Sequence, residues 1–112
     1  MDKSLATADM TQETKQIQQL ADKVMAEIET LFAAKAIVPS SLQWQMLLSH
    51  IRGMASRAIT AEPLPEVEAE LFEEISKESM ALAQQVVDLF GNLPKEETWL
   101  LSVHFEVARE NG

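Results

Sequence analysis

Apolar residues recur at intervals of three and four along most of the chain, and no stretch shows the sustained alternation of a half-buried strand. The spacing predicts an all-α protein. Ile17, Leu20, Val24, Ile28, Leu31 and Phe32 form one stripe of a first helix. It should end in the stretch AKAIVPSS, because Pro39 biases Val38 out of the helical region. Ser40 with Gln43 three residues on is a capping-box pattern, and Leu42, Met46, Leu47, Ile51, Met54 and Ala58 continue as the apolar face of a second helix. In ITAEPLPEVE, Pro65 suits a first helical position, and Glu66, Glu68 and Glu70 suit the positive end of a helix dipole. From there to Phe90 the pattern accommodates one long helix or two shorter ones parted near Ser76. Gly91 and Asn92 form a helix stop and Pro94 a start, and Leu100, Leu101, Val103, His104 and Val107 belong to the last helix. The architecture predicted is an antiparallel bundle of four to five helices. Residues 1–10 are expected to be a flexible N-terminus, with Asp9 or Thr11 as a cap, and residues 11–112 a single domain.

Composition narrows the function. The 112 residues suffice for one domain with a core, and with 46% apolar and 24% charged residues the chain should fold. The net charge of −9, from 18 acidic against 9 basic residues, argues against direct binding to a phosphate backbone. Absence of cysteine removes disulfides, thiolate metal sites and cysteine nucleophiles together. No apolar run approaches the roughly 18 residues of a membrane span and the start lacks a secretory signal, so the expectation is a cytoplasmic protein without membrane insertion.

The two histidines stand out because each falls among apolar neighbours on a helix. At roughly 100° per residue, Met46, Leu47 and Met54 share the side of His50, and Leu100, Leu101, Val107 and Ala108 surround His104. For one histidine taken alone, a core imidazole with a nitrogen bonded to a carbonyl or carboxylate is the ordinary reading. Metal binding would require further ligands at helical spacing, and neither histidine has them, so no metal or cofactor is predicted. Ser49 and Ser102 point round the helix from the imidazoles, which argues against a nucleophile–base pair and against an enzyme. A third reading is phosphoryl acceptance: neutral imidazole is nucleophilic near neutral pH, and a phosphoryl group brings close to two negative charges to a place where helices meet.

Two segments carry a resemblance to a known family. In SHIRGMASR, His50 is followed at once by Ile51 and seven residues later by Arg57; in ETWLLSVHFEVA, Glu97 stands seven residues before His104, with Leu100 and Leu101 between. In this order they resemble the PTS regulation domain (PRD), the helical module through which the bacterial sugar phosphotransferase system controls antiterminators and activators. The likeness runs from about residue 15 to the end. It implies a five-helix bundle in which His50 and His104 are phosphorylation sites. Their donor would be the histidine phosphocarrier protein or a sugar-specific transporter subunit, and Arg57 and Glu97 would support the site. It further implies a homodimer whose packing, or whose hold on a regulatory partner, responds to phosphorylation and thereby modulates transcription or antitermination. The chain departs from the family pattern at Ser49, where Asp is usual, in lacking the central Tyr-Pro, and in placing Phe105 after the second histidine. An interaction module of the same fold that works without phosphorylation is therefore the alternative. The family is usually met as tandem copies behind a nucleic-acid-binding domain, and this chain reads as a free-standing copy.

Other features have plain readings. The acidic run EPLPEVEAELFEE suits a solvated helix face or a dock for a basic phosphocarrier surface. Trp44 and Trp99 suit core or dimer anchors, and the six methionines an irregular core or an adaptable interface.

Overall fold

The structure, a computed structural model, describes the backbone of residues 2–110 and the side chains of residues 12–110. Four α-helices follow one another: α1 (Asp2–Ala34), α2 (Ser41–Thr60), α3 (Lys77–Phe90) and α4 (Glu96–Glu110), with a 3₁₀ turn at Ala69–Phe72 between α2 and α3. There is no strand among the described residues. Asp9 and Thr11, expected to cap the first helix, fall inside α1, which already begins at Asp2, so neither marks its start.

Local chemistry accounts for most of the boundaries. The α1 terminus is a Schellman motif: the Ile37 amide donates to Phe32 O at 2.9 Å and the Ala36 amide to Ala33 O at 3.3 Å, with Ala36 in the left-handed region at φ 56°. Pro39 then keeps the chain out of the helix until Ser40. There the expected capping box forms, the Gln43 amide donating to Ser40 Oγ and the Ser40 amide to Gln43 Oε1. Ala61, at φ 61°, closes α2 by donating its amide to Arg57 O at 2.8 Å. Gly91, at φ 80°, ends α3.

Pro65 does not start a helix, contrary to the sequence expectation. Residues 61–68 run without helical structure, and α3 begins only after Ser76, which caps it by accepting from the Ser79 amide. A helix from Pro65 would stack Glu66 on Glu70 and Glu70 on Glu74, like charges one turn apart. The short 3₁₀ turn instead sends Phe72 into the protein, its ring 6.1 Å from that of Trp99, while Leu71 stays in solvent.

The helices pack as two pairs, α1 with α2 and α3 with α4, joined along an α2/α4 seam and an α1/α3 contact. Val24, Ile28 and Phe32 from α1 meet Leu47, Ile51 and Met54 from α2, Ala83, Val86 and Val87 from α3, and Leu101, Phe105 and Ala108 from α4. Phe32 lies edge-on to Phe105 at 5.2 Å and tilts against Trp44 at 6.1 Å, so Trp44 and Trp99 each brace an aromatic neighbour within the chain. Burial of this apolar surface is the main force holding the four helices together.

The buried face of α2 is rotated from the expected one. Leu47, Ile51, Met54 and Ala55 are buried, whereas Leu42 and Met46 are 65% and 52% exposed. Periodicity alone does not distinguish these neighbouring sectors; the direction from which α1 and α4 approach does.

Candidate functional site

The α2/α4 seam brings the four singled-out residues together in two pairs. His50 and His104 lie ring against ring, with centroids 4.8 Å apart and planes inclined by 40°. Arg57 and Glu97 form a two-pronged ion pair, Nε donating to Oε2 at 2.7 Å and Nη2 to Oε1 at 2.8 Å. Each partner of the ion pair sits seven residues from its histidine, after it on α2 and before it on α4. Seven residues make two turns, roughly 10 Å of helix, so two antiparallel helices repeat their pairing at that interval.

Both carboxylate oxygens of the ion pair are engaged. The Glu97 side chain is completely buried and that of Arg57 only 21% exposed, so the carboxylate depends on the guanidinium for compensation. The hydrogen bonds and charge of Glu97 in turn hold the guanidinium pKa above its ordinary value.

The histidine pair is not satisfied. His50 Nε2 is, among the described residues, the buried side-chain polar atom without a hydrogen-bond partner. Such an atom costs about 1–3 kcal/mol relative to a bonded one. Burial pulls the His50 pKa down to about 4, helped by the neighbouring His104 and Arg57 charges, and burial also lowers that of His104. Both rings are therefore neutral near pH 7, with a nitrogen lone pair available. The two serines stand apart from them: Ser49 is exposed, and the buried Ser102 hydroxyl donates to Trp99 O at 2.6 Å. Among the described residues no group of three or more His, Asp and Glu side chains is arranged to hold a metal ion.

Exposed apolar side chains neighbour the two histidines along their helices. Met46 lies one turn before His50, and Val103 and Val107, 42% and 41% exposed, flank His104. Gln43 Nε2 reaches Val107 O at 3.5 Å, which sets the start of α2 beside the end of α4. Both histidines thus sit at the rim of the buried stripe, in an intermediate environment between core and solvent.

A second polar cluster escaped the sequence reading. Ser76 and the fully buried Ser79 both donate hydroxyl hydrogen bonds to Glu106 Oε1, at 2.8 and 2.7 Å, and Arg109 Nη1 donates to Ser76 Oγ at 2.6 Å. The same Arg109 pairs with Glu78. These bonds lower the Glu106 pKa and tie the start of α3 to the end of α4. The sequence signal was Ser76 followed by Ser79 at cap spacing, together with Glu106 and Arg109 one turn apart on α4.

No family model matches the chain, and no curated protein matches it. Among solved structures, it is similar to the crystal structure of a PRD-containing transcription regulator from Lactobacillus casei, at 34% sequence identity over 91% of this chain and 96% of that one, with a TM-score of 0.79. No helix among the described residues is long and apolar enough to cross a membrane. An identity of that size over nearly the full length of both chains, on a shared helical bundle, shows that this chain belongs to the PRD family.

Proposed function

We propose that this PRD is a regulatory, non-enzymatic domain of the bacterial phosphotransferase system, and that it accepts a phosphoryl group on His50 or His104. The observation that carries the reading is the pair of neutral imidazoles in contact at the rim of the α2/α4 seam, one with a buried nitrogen that has no hydrogen-bond partner among the described residues. A site selected only for stability would bond or replace that nitrogen.

The chemistry is a transfer between imidazoles. A ring nitrogen of His50 or His104 attacks the phosphorus of a phosphohistidine on the donor, the histidine phosphocarrier protein or a sugar-specific transporter subunit. The donor's N–P bond breaks, the new one forms, and the proton released from the acceptor's other ring nitrogen balances the one its leaving imidazole takes up. Depressed pKa values keep the acceptor rings unprotonated and ready. The new charge, close to −2, arises beside exposed Met46, Val103 and Val107, an apolar surface suited to a second copy of the chain or to a regulatory partner. Phosphorylation would shift that association and, through it, transcription or antitermination in the cytoplasm, where the donors act.

The test is incubation of wild type, His50→Ala and His104→Ala with the phosphorylated phosphocarrier, followed by phosphohistidine detection. Labelling of wild type, reduced in a variant, is the expected result; a folded wild type that no cognate donor labels ends the proposal. The enclosed Nε2 of His50 favours one alternative, an interaction module of this fold that associates through the same apolar flank without phosphoryl transfer. In that case NMR titration would show both rings blind to donor while the chain still self-associates.

A further inference from the structure

The two histidines of the seam offer their ring nitrogens unequally. Nε2 of His50 is shut away from solvent and has no hydrogen-bond partner among the described residues. None of the other three ring nitrogens, Nδ1 of His50 and both of His104, is enclosed in that way, and no hydrogen bond among the described residues engages any of them. Those three therefore meet solvent. The His50 ring is turned with its far nitrogen inward, so the unbonded Nε2 is the inner edge of a ring whose Nδ1 faces water. Phosphoryl transfer makes this difference decisive. The attacking lone pair must lie in line with the bond that breaks, with the tetrahedral group and its donor beyond it, and a nitrogen without exposed surface presents no such line. An unhindered imidazole has the opposite preference, because Nε2 is remote from the Cβ substituent and carries the more stable N–P bond. The fold thus reverses at His50 a preference that His104 remains free to follow.

We propose that His50 accepts a phosphoryl group through Nδ1, so that the two neighbouring rings carry chemically different phosphohistidines, the Nδ1 isomer on His50 and the Nε2 isomer on His104. This rests on the acceptor reading above and deepens it to the atom. Transfer to His50 uses the tautomer with hydrogen on Nε2, since only that form leaves the Nδ1 lone pair free. That lone pair forms the new N–P bond, and the donor's N–P bond breaks with its electron pair going to the departing ring. The Nε2 hydrogen leaves as the proton that balances the one the departing ring takes up. The Nδ1 isomer, crowded by Cβ, holds its phosphoryl group less firmly than the Nε2 isomer. A group on His50 is therefore passed on or hydrolysed sooner than one on His104, and the two sites store the same charge for different times.

A small chemical donor tests the assignment without knowledge of the cognate one. With potassium phosphoramidate, a ring nitrogen forms the N–P bond, the reagent's own P–N bond breaks, ammonia leaves with the electron pair, and the ring's other N–H proton passes to buffer. His50 and His104 are the chain's two histidines, so the imidazole NMR spectrum of the isotope-labelled full chain holds two rings, assigned with His50→Gln and His104→Gln. Long-range proton–nitrogen correlation, with coupling to phosphorus, identifies the nitrogen that carries the group. Folded wild type should show it on Nδ1 of His50 and on Nε2 of His104, with the His50 label lost faster once the reagent is removed. The chain treated in urea should show Nε2 on both rings. Phosphorus on Nε2 of His50 in the folded chain would overturn the assignment while leaving the acceptor reading intact. So would an unreacted His50 beside a labelled His104. No label on either ring of the folded chain, with both labelled in urea, would sink the acceptor reading and this inference with it.

Discussion

Two turns apart on the same pair of helices, the Arg57–Glu97 end and the His50–His104 end of the seam treat buried polar groups in opposite ways. At the first, a carboxylate shut away from water is answered by two short hydrogen bonds from one guanidinium. At the second, two imidazoles touch and a ring nitrogen is left without a hydrogen-bond partner among the described residues. Both ends are set by the same antiparallel crossing, so helix geometry does not explain the contrast. What separates them is saturation: each oxygen of the acid is engaged by the guanidinium, whereas the histidine end keeps a buried ring nitrogen unbonded at a cost to stability. Unsatisfied capacity held in place by a satisfied neighbour is what a site for a transferable group requires.

The largest expected effect tests the satisfied end. Arg57→Met would leave Glu97 buried without its counter-charge and should lower unfolding stability by about 3–5 kcal/mol in urea denaturation. The double change Arg57→Met/Glu97→Leu should recover most of that loss, because the stranded charge is gone. A single variant losing less than about 1 kcal/mol would show that the pair does not anchor the seam, and the contrast between the two ends would collapse.

A smaller effect belongs to the histidine end and is read in pH. His50 titrates at about 4 in the folded protein against an ordinary value of 6.5. Above pH 6.5 neither folded nor unfolded chain holds a proton there; between 6.5 and 4 the unfolded chain binds one that the folded chain refuses. Stability therefore falls as pH drops through that window, by about 2–3 kcal/mol in all for this residue. His50→Gln should flatten the profile by that amount relative to wild type. Subtracting the two profiles removes what the variant shares with wild type, including Glu106, whose depressed pKa gives stability that is lost only under more acidic conditions. Superimposable profiles would mean that His50 takes up protons freely in the native state.

The smallest effect is a control on both ends. Ala36 holds a left-handed conformation that a Cβ disfavours, and it is exposed, so Ala36→Gly should stabilise the protein by roughly 0.5–1 kcal/mol. Phosphoryl acceptance should not move, since the change lies at the end of α1. If acceptance changes along with stability, the seam is not independent of the rest of the bundle and the variants above need reinterpretation.

Read from sequence, the helices and their caps were legible because they depend on neighbours within a turn. Ser40 and Gln43, Ser76, Gly91 and the apolar spacing of α1 each act over three or four residues. The repeated seven-residue offset from His50 to Arg57 and from Glu97 to His104 was legible for the same reason, and with it the family likeness. Pro65 misled because a permissive first position says nothing about the glutamates that would stack behind it. The three-dimensional packing alone decided which sector of α2 is buried, that the two rings touch, that Arg57 chooses Glu97, and that Ser79 and Glu106 close the α3/α4 junction. Those contacts join residues 27 to 54 positions apart, and their geometry comes from how helices cross, a quantity that periodicity within one helix does not contain.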